Sequence, residues 1–253
     1  MITTRSDERR PILAFLRRET VEEALSKVDS TWKGIYRVGG ICLFLSGIIF
    51  ITVAILSMIL GPAPSSAESY LQSMASNILV AELNFGLYAL SDFLFLPVLL
   101  ALFLSLKQIH KNAMLIAAGL MALYVIFDFG ITEMNSLTLV SLTQNYAAAT
   151  TDAQRSTILA SAGYALATLP IATFCSYFVS SIGLIIVGLV MLKGIFNKPT
   201  ALLAIAAGIE GTLGAFYGIF PPLAGLLIPA LITYGIWALF GGTRLLRLGK
   251  RLS

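Results

Sequence analysis

The chain alternates between long apolar runs and short polar turns, and the runs are too long for an ordinary soluble fold. Six follow one another: Ile35 to Leu60, Asn77 to Leu106, Ala113 to Asn135, Leu169 to Leu192, Thr200 to Phe220 and Leu223 to Phe240. A helix rises 1.5 Å per residue, so each run can cross a hydrocarbon core of about 30 Å. The breaks between them carry turn chemistry: Gly61, Pro62 and Pro64, then the Lys107 to Asn112 turn, then Asn197, Lys198 and Pro199, then Pro221 with Pro222. The pattern predicts an all-α polytopic membrane protein, with six transmembrane helices over residues 35–243. Pro97 predicts a kink in the second span.

Three segments depart from this rhythm. Residues 1–34 are polar but patterned: Ile12, Leu13 and Leu16, then Val21, Ala24, Leu25 and Val28, recur at helical spacing among arginines and glutamates. That spacing predicts an amphipathic helix on the inner membrane surface, the alternative being a tail that only fixes topology. Near residues 136–168, Leu137, Val140 and Leu142 continue a helical pattern, Tyr146 to Thr151 turn it, and Asp152 with Ala153, Gln154 and Arg155 reads as a capped helix start. An external helical hairpin is expected there. Residues 244–253 form a basic tail.

Composition sharpens the class. Of 253 residues, 57% are hydrophobic and 12% charged, against about a quarter charged in soluble domains. The net charge of +4 raises the question of nucleic acid, and the positions of the charges answer it. Basic residues fall before or at the very start of the first run (Arg5, Arg9, Arg10, Arg17, Arg18, Lys27, Lys33, Arg37), at Lys107 and Lys111, at Lys193 and Lys198, and at Arg244, Arg247, Lys250 and Arg251. If each run crosses once, only Arg155 lies on the other side. The positive-inside rule then makes both termini cytoplasmic in an inner or plasma membrane, and the charge is a topology signal with no nucleic acid implied. Cys42 and Cys175 lie inside runs and read as small buried hydrophobes. His110, between lysines, reads as a turn residue.

The fifth run carries Ala204, Gly208, Gly211, Gly214, Ala215 and Gly218, small residues whose spacing predicts close helix approach and a central, tightly packed helix. Ile116 to Gly119 recur as Ile205 to Gly208, a faint sign of an internal repeat.

The candidate chemistry is acidic. Five carboxylates lie within or at the edge of a span: Glu82, Asp92, Asp128, Glu133 and Glu210. No lysine or arginine shares the apolar interior with them, and an isolated charge at the bilayer centre costs about 3 to over 10 kcal/mol. Each must be neutral, hydrogen-bonded, wet or paired with something that binds. Asn84, Tyr88, Ser91, Asn135, Thr173, Tyr177, Thr212 and Tyr217 fall at similar depths and with the acids outline a polar pocket open to the outside, lined by the second to fifth spans. Glu82 and Glu133, near the interface, read as structural hydrogen-bonding groups, whereas Asp92, Asp128 and Glu210 read as a proton or cation site.

Enzyme signatures are lacking. Asp92 and Asp128 lack the glycine-flanked context of intramembrane aspartyl proteases, and one histidine cannot build a zinc centre. The chain also lacks a serine elbow, a P-loop and a lysine placed for a retinal linkage.

The sequence resembles an uncharacterised family of small six-span bacterial and archaeal integral membrane proteins. The resemblance is carried by Tyr36, Arg37, Gly39 and Gly40 opening the first span, by Leu87, Tyr88, Leu90 and Asp92 in the second, and by the long third-to-fourth connection. It implies a six-span fold and no known activity, and the long basic N-terminal segment departs from it. The expectation is a protein with an outward-open polar cavity that binds, and can transport, a small cationic or amphipathic solute. Candidate residues are Asp92, Asp128, Glu210, Glu82, Glu133, Asn84, Tyr88, Tyr177 and Tyr217. No cofactor or metal is expected. The partners would be membrane lipids, that solute, and a protein docking on the N-terminal helix. The alternatives are a non-transporting sensor or docking subunit and, further off, a lipid-modifying enzyme.

Overall fold

The computed structural model describes residues 28–64 and 66–251, so the amphipathic helix expected near the N-terminus lies almost wholly outside the described residues. Those residues are helical, with no strand among them. A single 3-10 turn leads into α1 (Lys33–Leu60). A short helix α2 (Ala67–Ser76) follows, then α3 (Ile78–Phe127), a π-helical segment (Asp128–Glu133), α4 (Met134–Ala148), α5 (Asp152–Met191), α6 (Lys198–Ala215) and α7 (Leu227–Arg251).

Local chemistry sets several boundaries. Ser66 and Thr151 each form a capping box, with Ser69 and Gln154 respectively, so each side chain satisfies an amide that the first helical turn leaves without a partner. Asn197 Oδ1 accepts from Thr200 N at 3.3 Å, and Pro199 sits in the first turn of α6. Pro170 is taken into the middle of α5 without a break. Helical dihedrals likewise continue through Pro97 and fail only at His110, with φ −153° and ψ 85°.

His110 is where α3 folds in two. The Phe95 and Tyr124 ring centroids are 5.8 Å apart and those of Phe93 and Phe129 4.8 Å, whereas in a straight helix residues 29 apart would be separated by about 43 Å. Limbs 78–109 and 111–127 are therefore an antiparallel pair. His110 Nδ1 accepts from Ala113 N at 3.3 Å, so the lone histidine caps the second limb.

Five helices among the described residues are long and apolar enough to cross a membrane, the folded stretch 78–148 counting as one. Only 28–50% of each apolar window is buried inside the fold. Large side chains such as Leu79, Leu115, Ile126 and Ile171 point outward at above 60% exposure. A soluble protein rarely presents such a continuous apolar exterior, and this is a multi-pass membrane protein.

The most extensive pairing joins α1 to α7 along a seam of glycines. A Cβ at Gly47 would fall 2.8 Å from the Gly235 carbonyl, one at Gly242 2.8 Å from the Gly40 carbonyl, and one at Gly249 3.0 Å from the Lys33 carbonyl. The crossings recur every seven residues on both helices, the period that keeps one seam facing its partner. Gly208 and Gly188 mediate a second close pairing between α6 and α5. The most extensive helix contact therefore lies between the first and last helices, and α6, expected to be central, shares its packing mainly with α5. The Ile-Ala-Ala-Gly repeat has no common packing role: a Cβ at Gly119 would meet nothing within 4 Å, while one at Gly208 would lie 2.8 Å from the Ser181 carbonyl.

These contacts sort the chain into two ends. Lys33 and Arg37 meet Gly249, Asp29 interacts electrostatically with Lys107, and Ile109 abuts Gly194. The basic turns and both ends of the described chain thus gather at one end. At the other, α2, the start of α3, α4 and the first part of α5 share an apolar cluster around Leu71, Met74, Ala81, Leu139 and Ala162. With 40 residues, α5 is about 60 Å long, twice a hydrocarbon core, so its first half continues past the bundle as one arm of a hairpin with α4.

Candidate functional site

Three carboxylates converge inside the bundle. Asp92, Asp128 and Glu133 are 1%, 3% and 3% exposed. They come from the first limb of α3 and from the π-helical segment that follows its second limb. In an α-helix, residues five apart point about 140° away from each other. The π-helix closes i to i+5 hydrogen bonds and so nearly superposes such residues, which lets Asp128 and Glu133 both turn inward. Glu133 is close enough to Asp128 and Asp92 to feel their charge.

Hydroxyls surround the acids. Tyr124 reaches toward both Asp92 and Asp128, and Ser176 and Thr132 toward Asp128. The Tyr88 and Tyr177 hydroxyls meet each other. Even so, both oxygens of Asp92, Oδ1 of Asp128 and Oε2 of Glu133 are buried without a well-formed hydrogen bond. Most buried polar groups find a partner, and each exception calls for a cause.

Beside the acids lies a cavity of about 70 Å³, enough for a few water molecules. Its polar and aromatic lining includes Asp128, Tyr88, Tyr124, Tyr177, Tyr234 and Phe50, and Asp128 is the one charged residue in its wall among the described residues. A polar file leads toward it along α3. Asn84, Tyr88 and Asp92 stand at successive four-residue steps, hence on one face, and Asn84 Oδ1 accepts from Ser57 Oγ at 3.3 Å. Asn84 also lines a pocket of about 190 Å³ beneath the loop of Gly61, Pro62 and Pro64.

The expected residues thus separate. Asp92, Asp128, Glu133, Tyr88 and Tyr177 come together, with Asn84 on the approach. Glu82 is exposed and accepts from Gln144 Nε2 at 2.7 Å, well apart from the cavity wall. Glu210 is half-buried, with Oε2 buried and unpartnered, but does not line the cavity. Tyr217 pairs with Thr173, and Asn135 donates to Thr168 Oγ1 at 2.9 Å. Tyr124 and Tyr234 were missed by the sequence reading. Tyr124 was findable, since it stands one turn before Asp128 on the same face. Phe50 and Tyr234 extend the wall to α1 and α7, beyond the four spans expected.

The two sequence signatures differ in use. Tyr36 donates to the Asp29 carbonyl at 3.3 Å and Arg37 Nε to the Gly249 carbonyl at 3.1 Å, while Gly39 and Gly40 admit Ala101 and Gly242. That signature is a packing device. Tyr88 and Asp92 of the second belong to the buried acidic cluster and its hydroxyls. No protein-family profile, no curated protein and no solved structure matches the chain.

Proposed function

We propose that the chain crosses the membrane six times with both termini cytoplasmic, and that its outward-facing polar cavity binds a small cationic solute through Asp128, with Asp92 and Glu133 grouped beside it. The folded stretch supplies two of the six crossings, and the basic turns gathered at one end support a common cytoplasmic face. The observation that carries the binding reading is the grouping of three nearly inaccessible carboxylates, with four buried oxygens lacking partners, beside a cavity with no basic residue in its wall among the described residues. Burying such groups as ions without compensation is prohibitive. A cation entering the cavity, or protons that it displaces, would supply the missing charge. Glu210 stands apart from the grouping and is assigned no direct role in it.

Calorimetric titration of the purified protein with sodium, potassium and ammonium chloride tests the reading. Saturable binding of at least one, lost in Asp128→Asn while the far-UV spectrum of the variant stays native, is expected. Absence of binding by the wild type, or equal binding by the variant, would turn the reading toward a non-transporting subunit. Uptake into proteoliposomes then separates a carrier from a sensor.

A further inference from the structure

Most of the cavity wall is ring. Phe50, Tyr88, Phe95, Tyr124, Tyr177 and Tyr234 line it, together with aliphatic side chains and the hydroxyls of Ser180 and Ser181. The measured ring pairs in the wall are steeply inclined: Phe50 to Tyr88 at 82°, Phe50 to Tyr234 at 63°, Phe95 to Tyr124 at 83°. Rings so inclined form the sides of a box rather than a stack. Asp128, with its buried unpartnered Oδ1, is the one charge in that box.

We propose that the cavity is an aromatic cage for a small alkylated ammonium group, with Asp128 as its charge partner and the tyrosine rings as its walls. The inference rests on the cation-binding reading above and narrows its ligand. A hard inorganic cation gives up a tightly held hydration shell and requires a near-complete set of oxygen ligands in return. This wall offers one carboxylate, that of Asp128, and its other side-chain oxygens are hydroxyls set among rings and aliphatic side chains, with no side-chain amide oxygen among the described lining residues. An alkylated ammonium is weakly hydrated, spreads its charge over its methyl groups and is attracted to ring faces, the recognition mode of aromatic cages. A neutral solute would leave the carboxylate uncompensated, and Asp92, Asp128 and Glu133 together repel an anion. The volume of about 70 Å³ is well below the roughly 300 Å³ at which drug-sized pockets begin, which excludes a bulky amphiphile and limits the guest to a group of a few heavy atoms.

The test titrates the full chain in detergent with tetramethylammonium chloride and with sodium chloride at matched ionic strength. Tetramethylammonium should bind at least tenfold more tightly than sodium, and Tyr234→Leu should weaken it roughly tenfold, by a larger factor than it weakens sodium. Tyr234→Phe, which keeps the ring, should bind tetramethylammonium as the wild type does. Sodium binding as tight as tetramethylammonium, or an unchanged tetramethylammonium affinity in Tyr234→Leu, would overturn the cage and leave the cation site standing. Binding of neither salt overturns the cage, and the potassium and ammonium titrations then decide whether the cation site stands. If Tyr234→Leu does not fold, the wild-type comparison alone decides.

Discussion

The glycine seam between α1 and α7 makes a stability prediction that can be worked from distances. A Cβ at Gly242 would fall 2.6 Å from Phe44 N, 2.8 Å from the Gly40 carbonyl oxygen and 2.9 Å from Phe44 Cα. All three are backbone atoms and none can swing aside as a side chain could. Ordinary contact begins at 3.4 Å, so Gly242→Ala must drive the helices apart locally by about 0.8 Å. A gap of that size forfeits about a quarter to a half of each affected dispersion contact. The cost belongs at the top of the overpacking range, about 3 kcal/mol, offset by about 1 kcal/mol of helix propensity gained on leaving glycine. The expected net loss is about 2 kcal/mol. The same substitution at Gly119, where a Cβ meets nothing within 4 Å, should be neutral or slightly stabilising. Gly40→Ala combined with Gly242→Ala should cost at least about 1 kcal/mol less than the sum of the singles, because one separation relieves both clashes. Unfolding of the detergent-solubilised protein by SDS, followed through the fluorescence of fully buried Trp237, measures all four. Equal stability of Gly242→Ala and Gly119→Ala, or strict additivity of the pair, would refute the seam.

Gly208→Ala should cost about 1 to 3 kcal/mol by thermal unfolding, because its Cβ would meet the Ser181 carbonyl at 2.8 Å, whereas Gly214→Ala should cost less than about 1 kcal/mol, its tight neighbour being the movable Leu227 Cδ2 at 3.0 Å. Arg37→Met removes the donor to the Gly249 carbonyl and should weaken the fold by about 1 kcal/mol, read as faster amide exchange across residues 248–251. For the proposed topology, Ser66→Cys and Thr150→Cys should react with an impermeant thiol reagent from outside and His110→Cys should not; labelling at position 110 in intact cells would overturn six crossings. Glu210→Gln should keep the cation titration of the wild type within about twofold while Asp128→Asn loses it, and loss in both would return Glu210 to the site.

Much of the scaffold is readable from the run lengths, because a bilayer asks for one thing of a helix and the apolar runs supply it. The exact breaks follow less directly. Pro97 and Pro170 are the strongest helix-breaking residues in their runs, yet both stay helical, while His110, with no such reputation, carries the reversal. The Pro97 ring removes one amide from a helix whose geometry its neighbours hold, whereas His110 can supply an acceptor to the amide of Ala113. The seven-residue glycine spacing at positions 40 and 47, and at 235, 242 and 249, was also present in the sequence. The denser small residues of the fifth run are the more prominent feature, but density says only that a helix can be approached, and matching periods say by which partner. Depth along the spans already groups Asp128 with Glu133 around one polar pocket, but their common direction is not legible: ordinary helical spacing sets them apart, and the π-turn that aligns them has no sequence signature.

The distribution of hydrogen bonds among the acids bears on whether they are structural. Glu68, at the hairpin end, accepts from Tyr146 Oη at 2.9 Å, and Glu82 accepts from Gln144 at 2.7 Å. Both are exposed pairs, where water competes and the gain is small. Asp92, Asp128 and Glu133 are inaccessible, and it is their oxygens that lack partners. If these acids served only to join helices, the order would be the reverse, because a hydrogen bond left unmade costs most where water cannot replace it. Serine and threonine could join the same helices without that penalty. The Tyr124, Ser176 and Thr132 hydroxyls stand close to Asp128. An arrangement that keeps donors close to the acids without committing them is suited to groups that exchange partners, which is what binding and releasing a cation requires.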